Sequence, residues 1–109
     1  MQNNEFKPGK RLRVIMAKGK LSCNDLAAWF ARPYPTVRSW LYWDRSVRWD
    51  WADEVEKRVK MLEGMVARLH KGDGIVPYEV SPRQRQQYIK ELFHAASDKR
   101  RVPRKNTAA

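Results

Sequence analysis

Apolar residues recur at helical spacing through most of this chain, and the breaks between the recurrences fall at Gly, Pro and Ser. Leu12, Ile15 and Met16 predict a first helix over about Lys10–Lys18, stopped by Gly19. Ser22 is an N-cap residue for a second helix, Cys23 to about Phe30, with Asp25 near the positive end of its dipole. Leu26, Ala27, Trp29 and Phe30 supply that helix's packing residues. Pro33 and Pro35 then break the chain, because proline lacks an N–H and disfavours αR in the residue before it. Pro35 suits the first position of a third helix, where the missing donor is no loss. That helix reaches about Tyr42, turning Val37, Trp40 and Leu41 inward and Thr36, Arg38, Ser39 and Tyr42 outward.

Trp43–Trp49 is aromatic, basic and without helical period. Asp50 is an N-cap for a fourth helix ending near His70, along which Val55, Val59, Leu62, Val66 and Leu69 form one stripe widened by Met61 and Met65. At about 20 residues such a helix spans about 30 Å. Its stripe needs a partner, either the last helix folding back or a second copy of the chain. Gly72-Asp73-Gly74 is a turn, and Ile75–Val80 a short extended segment interrupted by Pro77. Ser81, Pro82 and Gln84 together make a helix start, and the last helix, about Pro82–Ser97, buries Tyr88, Ile89, Leu92, Phe93 and Ala96. Residues 1–9 read as a flexible or partly ordered lead, and Asp98–Ala109 as a basic tail with little to bury. The expected fold class is all-α, without internal repeats.

The 109 residues carry a net charge of +11. Residues 1–40 contribute +6, residues 41–80 contribute −1 and residues 81–109 contribute +6. Two basic ends around a balanced middle form the electrostatic outline of a chain that meets polyanions. Charge by itself does not choose between DNA, RNA and an acidic membrane surface. No apolar run reaches the roughly 20 residues of a membrane span, and MQNNEFKPGKR has no secretory apolar core, so no membrane association is expected. Cys23 is the single cysteine, which makes a reducing, cytoplasmic setting the expectation.

Residues 21–43 bring these strands together. A DNA-reading pair of helices needs a small residue where the two axes cross, a short turn, and a second helix that is apolar on its inner face only. Leu21-Ser22, Leu26-Ala27 and Thr36-Val37-Arg38-Ser39-Trp40-Leu41 meet those needs. The pattern resembles the helix-turn-helix DNA-binding proteins of phages and bacteria, over about a fifth of the chain. Ala31 stands where that family commonly has Gly, and an alanine in αL costs about 1 kcal/mol relative to glycine. Arg32-Pro33 replaces the family's usual apolar-then-polar pair.

The resemblance implies that the outward face of the third helix enters the major groove of double-stranded DNA. Arg38 is then the candidate for a bidentate guanine contact, with Thr36, Ser39 and Tyr42 on base edges or phosphates and Tyr34 on the backbone at the start of the helix. Lys10, Arg11, Arg13, Lys18, Lys20, Arg45 and Arg48 are the candidate phosphate contacts. The implied organisation is a DNA-binding head at 1–48, a helical hairpin for packing, dimerisation or a protein partner at 49–97, and a basic tail at 98–109. Transcriptional regulation on nucleoid or phage DNA is the expected use. Phage DNA packaging of the small-terminase type, accessory work in recombination, and a protein- or RNA-binding adaptor are the alternatives.

Other signals add little. Trp29 and Trp40 fall on inward faces, whereas Trp43, Trp49 and Trp51 read as a second small core between head and long helix, with base stacking as the alternative. Cys23, His70 and His94 lack metal-ligand spacing, KGDGIV lacks the Lys-Ser/Thr ending of a phosphate loop, and no nucleophile–base set is apparent. No enzyme activity, metal or cofactor is expected.

Overall fold

The computed structural model describes residues 5–77 and 79–100, with side chains described to Ser97. The fold is all-α: α1 (Gly9–Gly19), α2 (Cys23–Phe30), α3 (Tyr34–Tyr42), α4 (Ala52–Ala67) and α5 (Pro82–Arg100). Local chemistry accounts for most of these limits. The α1 helix ends at Lys20, which adopts αL and returns its N–H to the Met16 carbonyl. At the start of α2, the Ser22 hydroxyl accepts from the Asp25 N–H and the Asp25 carboxylate accepts from the Ser22 N–H, a reciprocal capping box. Ser81 and Gln84 form the same exchange at the start of α5.

One continuous core runs from Leu12 in α1 to Ile89 in α5. α1, α2 and α3 pack on one another; α4 lies against α1 and touches α2, and α5 lies along α2. Leu12, Ile15, Leu26, Trp29, Phe30, Val37, Trp40 and Leu41 are all buried, as their spacing predicts. At Gly9 the backbones of α1 and α3 come so close that a Cβ would lie 2.3 Å from the Trp40 carbonyl oxygen, and only glycine fits there.

The described part of the lead is ordered: Phe6 pairs with Val47 in an isolated antiparallel bridge, and Pro8 is buried at the start of α1. Several expectations are corrected. The α3 helix begins at Tyr34, one residue earlier than expected, with Pro35 in its first turn, where its missing N–H still costs nothing. α4 has 16 residues rather than about 20. Asp50 does not cap it; its carboxylate holds Arg48 instead. The far end tightens into i→i+3 bonds, Arg68 to Met65 and Leu69 to Val66, so that Val66 and Ile75 close around Gly19.

The expected α4–α5 hairpin is also replaced, since the principal partner of α5 is α2. Arg85 reaches the buried Asp25 and Phe93 sets its ring against Trp29, and both anchors lie on α2. The last helix runs three residues past Ser97, and the remainder of the expected basic tail, 101–109, lies outside the described residues.

Candidate nucleic-acid interface

Two devices fix α2 and α3 relative to each other, and a third anchors α2 on α4. The first is the turn. Ala31 takes φ 56° and ψ 45°, the αL conformation expected of the residue standing in the glycine position, and Arg32 returns its N–H to the Ala27 carbonyl. The second is the inner face of α3, where Val37 and Leu41 are fully buried and Trp40 stands edge-on to Phe30 at 5.7 Å between centroids. The third is a reciprocal clamp from α2 to α4. The Trp29 indole N–H donates to the Arg58 carbonyl (3.0 Å), and the Arg58 guanidinium donates to the Trp29 carbonyl (2.9 Å) while lying 4.1 Å over the Phe93 ring. Burial lowers the Arg58 pKa, and the Glu54 carboxylate at 2.6 Å opposes the shift.

The outer face of α3 is left to solvent. Tyr34, Arg38 and Tyr42 are exposed, and Thr36 and Ser39 are half-buried, the Ser39 hydroxyl donating to the Thr36 carbonyl at 2.6 Å. The face is about 13 Å long by the standard rise of a nine-residue helix. At its C-terminal end Arg38 and Ser39 join Pro35, Trp43 and Arg45 around a cleft of about 310 Å³. At the other end Tyr34 borders a second cleft, between the α2–α3 turn and Gln86 and Lys90 of α5. The side chains of Arg38 and Arg45 make no hydrogen bond or ion pair among the described residues.

The seven candidate phosphate contacts divide sharply. Arg11 is occupied by its own fold: its guanidinium donates twice to Glu63 at 2.9 Å and once to Glu56 at 3.2 Å. The Glu63 hydrogen bonds raise the Arg11 pKa, and the same bonds hold the Glu63 carboxyl below the usual range. Arg13 donates to the Leu41 carbonyl and so ties α1 to the end of α3. Lys20 donates to the Gly72 carbonyl across the 71–74 turn. Arg48 pairs with Asp50 at 2.8 Å and lies over Trp51. These four cations have structural partners that sequence spacing does not reveal. Lys10, Lys18 and Arg45 have no side-chain partner among the described residues. Lys18 lines a cleft with Arg11 and Glu63 on the α4 side of α1, and Arg45 lies at the C-terminal end of α3.

The three later tryptophans do not form a second core. Trp51 alone packs, held between the guanidinium groups of Arg32 (4.1 Å) and Arg48 (4.8 Å). Trp43 is 62% exposed and Trp49 87%. Val47 is the residue that inserts from this segment, and its fixed pairing with Phe6 leaves the rings on either side outside. Cys23 is buried; burial raises its thiol pKa, and the nearby Arg38 charge opposes this, so the thiol stays protonated at neutral pH. Among the described residues no three His, Cys, Asp or Glu side chains are grouped to hold a metal ion, and no helix is long and apolar enough to cross a membrane.

Comparison of this chain with protein-family models, with curated proteins and with solved structures finds no match.

Sequence reasoning missed Trp43, Gln86 and Lys90 as neighbours of the α3 face. For Trp43 a signal was present, because an aromatic residue flanked by cations just after an outward-facing helix has two possible fates, and only burial distinguishes them. Gln86 and Lys90 lie more than 40 positions from Tyr34 and carry no local signal.

Proposed function

We propose that this chain is a helix-turn-helix protein that reads double-stranded DNA with the outer face of α3, most naturally as a cytoplasmic transcriptional regulator. The observation that carries the reading is the pairing of a rigid inner face with an uncommitted outer one. Val37, Trp40 and Leu41 lock α3 onto the head, while the Arg38 guanidinium stands exposed in mid-helix with no hydrogen-bond or ion-pair partner among the described residues. Every other arginine in α1 and α2–α4 except Arg45 and Arg68 is engaged by a carboxylate or a backbone carbonyl. An arginine left free on a fixed helix, in a chain of net charge +11, is suited to the O6 and N7 atoms of guanine in a major groove. The αL turn at Ala31 sets the angle at which α3 is offered. A nine-residue helix reads only a few base pairs, so two copies on adjacent half-sites are the expected mode of use.

The test is a titration of a labelled mixed-sequence DNA duplex at several salt concentrations, with an RNA hairpin in parallel. The free candidate phosphate cations Lys10, Lys18 and Arg45 predict a log–log salt slope of about −3 or steeper, a loss of about 60-fold between 50 and 200 mM salt. A flat salt response, or tighter binding of the RNA, would reject the proposal.

A further inference from the structure

Resting on the DNA-binding reading, we infer that the cleft at the C-terminal end of α3 receives one unpaired DNA base, stacked on Trp43 and flanked by Arg45. The cleft is lined by Pro35, Arg38, Ser39, Trp43 and Arg45 and encloses about 310 Å³, the lower end of the range for small-molecule pockets. Its rim is held in place by the backbone. The N–H groups of Trp43 and Arg45 both donate to the Ser39 carbonyl, at 3.1 and 3.2 Å. Asp44 between them takes φ 52°, a left-handed turn that folds the chain back over the end of the helix. The backbone that carries the aromatic ring and the guanidinium is therefore tied twice to one atom of α3.

The chemistry of the cleft selects its occupant. It combines an indole that is 62% exposed, two guanidinium groups without hydrogen-bond or ion-pair partners among the described residues, and no carboxylate among its lining residues. The one acid of the turn, Asp44, is drawn away to Lys7 at 3.6 Å. A planar ring beside uncompensated positive charge fits a group that has a flat π-face and a negative charge attached to it, which describes a nucleotide. Within a duplex every base is already stacked, so Trp43 finds a free face only where a base is unpaired. The cleft adjoins Arg38, so a chain whose α3 lies in the major groove meets such a base at the edge of its paired site. Arg45 then takes the phosphate of the extruded nucleotide, and Arg38 stays with the paired guanine.

The experiment compares two labelled duplexes of the same mixed sequence, one fully paired and one with a single bulged thymidine, for the wild type and for Trp43→Ala and Trp43→Phe. Thermal melts accompany each variant; the exposed ring makes a folding defect unexpected. The wild type should bind the bulged duplex at least about 5-fold more tightly, the lower end of what stacking one base on an aromatic ring supports. Trp43→Ala should remove that ratio while leaving the affinity for the paired duplex unchanged, and Trp43→Phe should keep part of it. Equal wild-type affinity for the two duplexes, or a preference that survives Trp43→Ala, overturns the inference. So does a loss in Trp43→Ala that is the same for both duplexes, although duplex reading by α3 then stands. Failure of the wild type to bind either duplex overturns both.

Discussion

Asp25→Ala should destabilise this protein far more than the loss of an ordinary helix cap. The carboxylate is 1% exposed and accepts the Ser22 N–H at 2.8 Å. Both of its oxygens also lie 2.9 Å from the Arg85 Nε, and the same guanidinium donates to the Lys20 carbonyl at 2.8 Å. Asp25 thus closes the start of α2 and fixes α5 along it, and Arg85 carries the link on to the end of α1. Removing one partner of a buried pair costs about 3–5 kcal/mol. The Arg85 side chain is 28% exposed and can turn partly to water, which places the loss near the lower end, at about 3 kcal/mol. Removal of an N-terminal cap alone costs about 1 kcal/mol. Urea denaturation of Asp25→Ala, Arg85→Met and the double variant separates the two accounts. The double variant should be less destabilised than the sum of the single ones by about 1–2 kcal/mol. A loss of about 1 kcal/mol for Asp25→Ala, or single effects that add within about 0.5 kcal/mol, would reduce Asp25 to a local cap.

Two further predictions concern the turn and the acid range. Ala31→Gly should raise stability by about 0.5–1 kcal/mol, because relief of the αL strain exceeds the entropy that glycine adds to the unfolded chain; a lower melting temperature would show that the turn is unstrained. Glu63, its pKa depressed chiefly by the Arg11 hydrogen bonds, contributes stability that is present above the usual carboxylate range and lost as pH falls through the lower folded value. Glu63→Gln should therefore flatten the fall in stability below about pH 4 seen in denaturant titrations of the wild type, and parallel curves would refute the assignment.

Much of the head could be read locally because its signals are local. The Ser22 capping box lies within three residues, Ala31 sits at the position where a left-handed residue was needed, and Val37, Trp40 and Leu41 repeat at helical spacing. What the sequence concealed is long-range. Asp25 and Arg85 are 60 positions apart, and Arg11 and Glu63 are 52 apart, with no pattern to couple them. Cations that look equivalent along the chain therefore separate into those engaged by a carboxylate or a backbone carbonyl of the fold and those offered to solvent. The apolar stripe through Val66 and Leu69 also outlasts α4 itself, because Leu69 stays half-buried after the helix has tightened and ended. Periodicity reports burial, and burial does not require that the helix continue.

The central claim is that α3 reads and its neighbours hold. The most direct measurement is the affinity of Arg38→Ala and Lys10→Ala for a duplex selected by the wild type and for the same duplex with one base pair changed. Arg38→Ala should weaken the selected duplex by about 1–3 kcal/mol and leave the altered one nearly untouched, as expected for a lost guanine contact. Lys10→Ala should weaken both duplexes equally and lower the salt slope by about one. If Arg38→Ala weakens both duplexes to the same extent, α3 is not the reading element and the account of this surface is wrong.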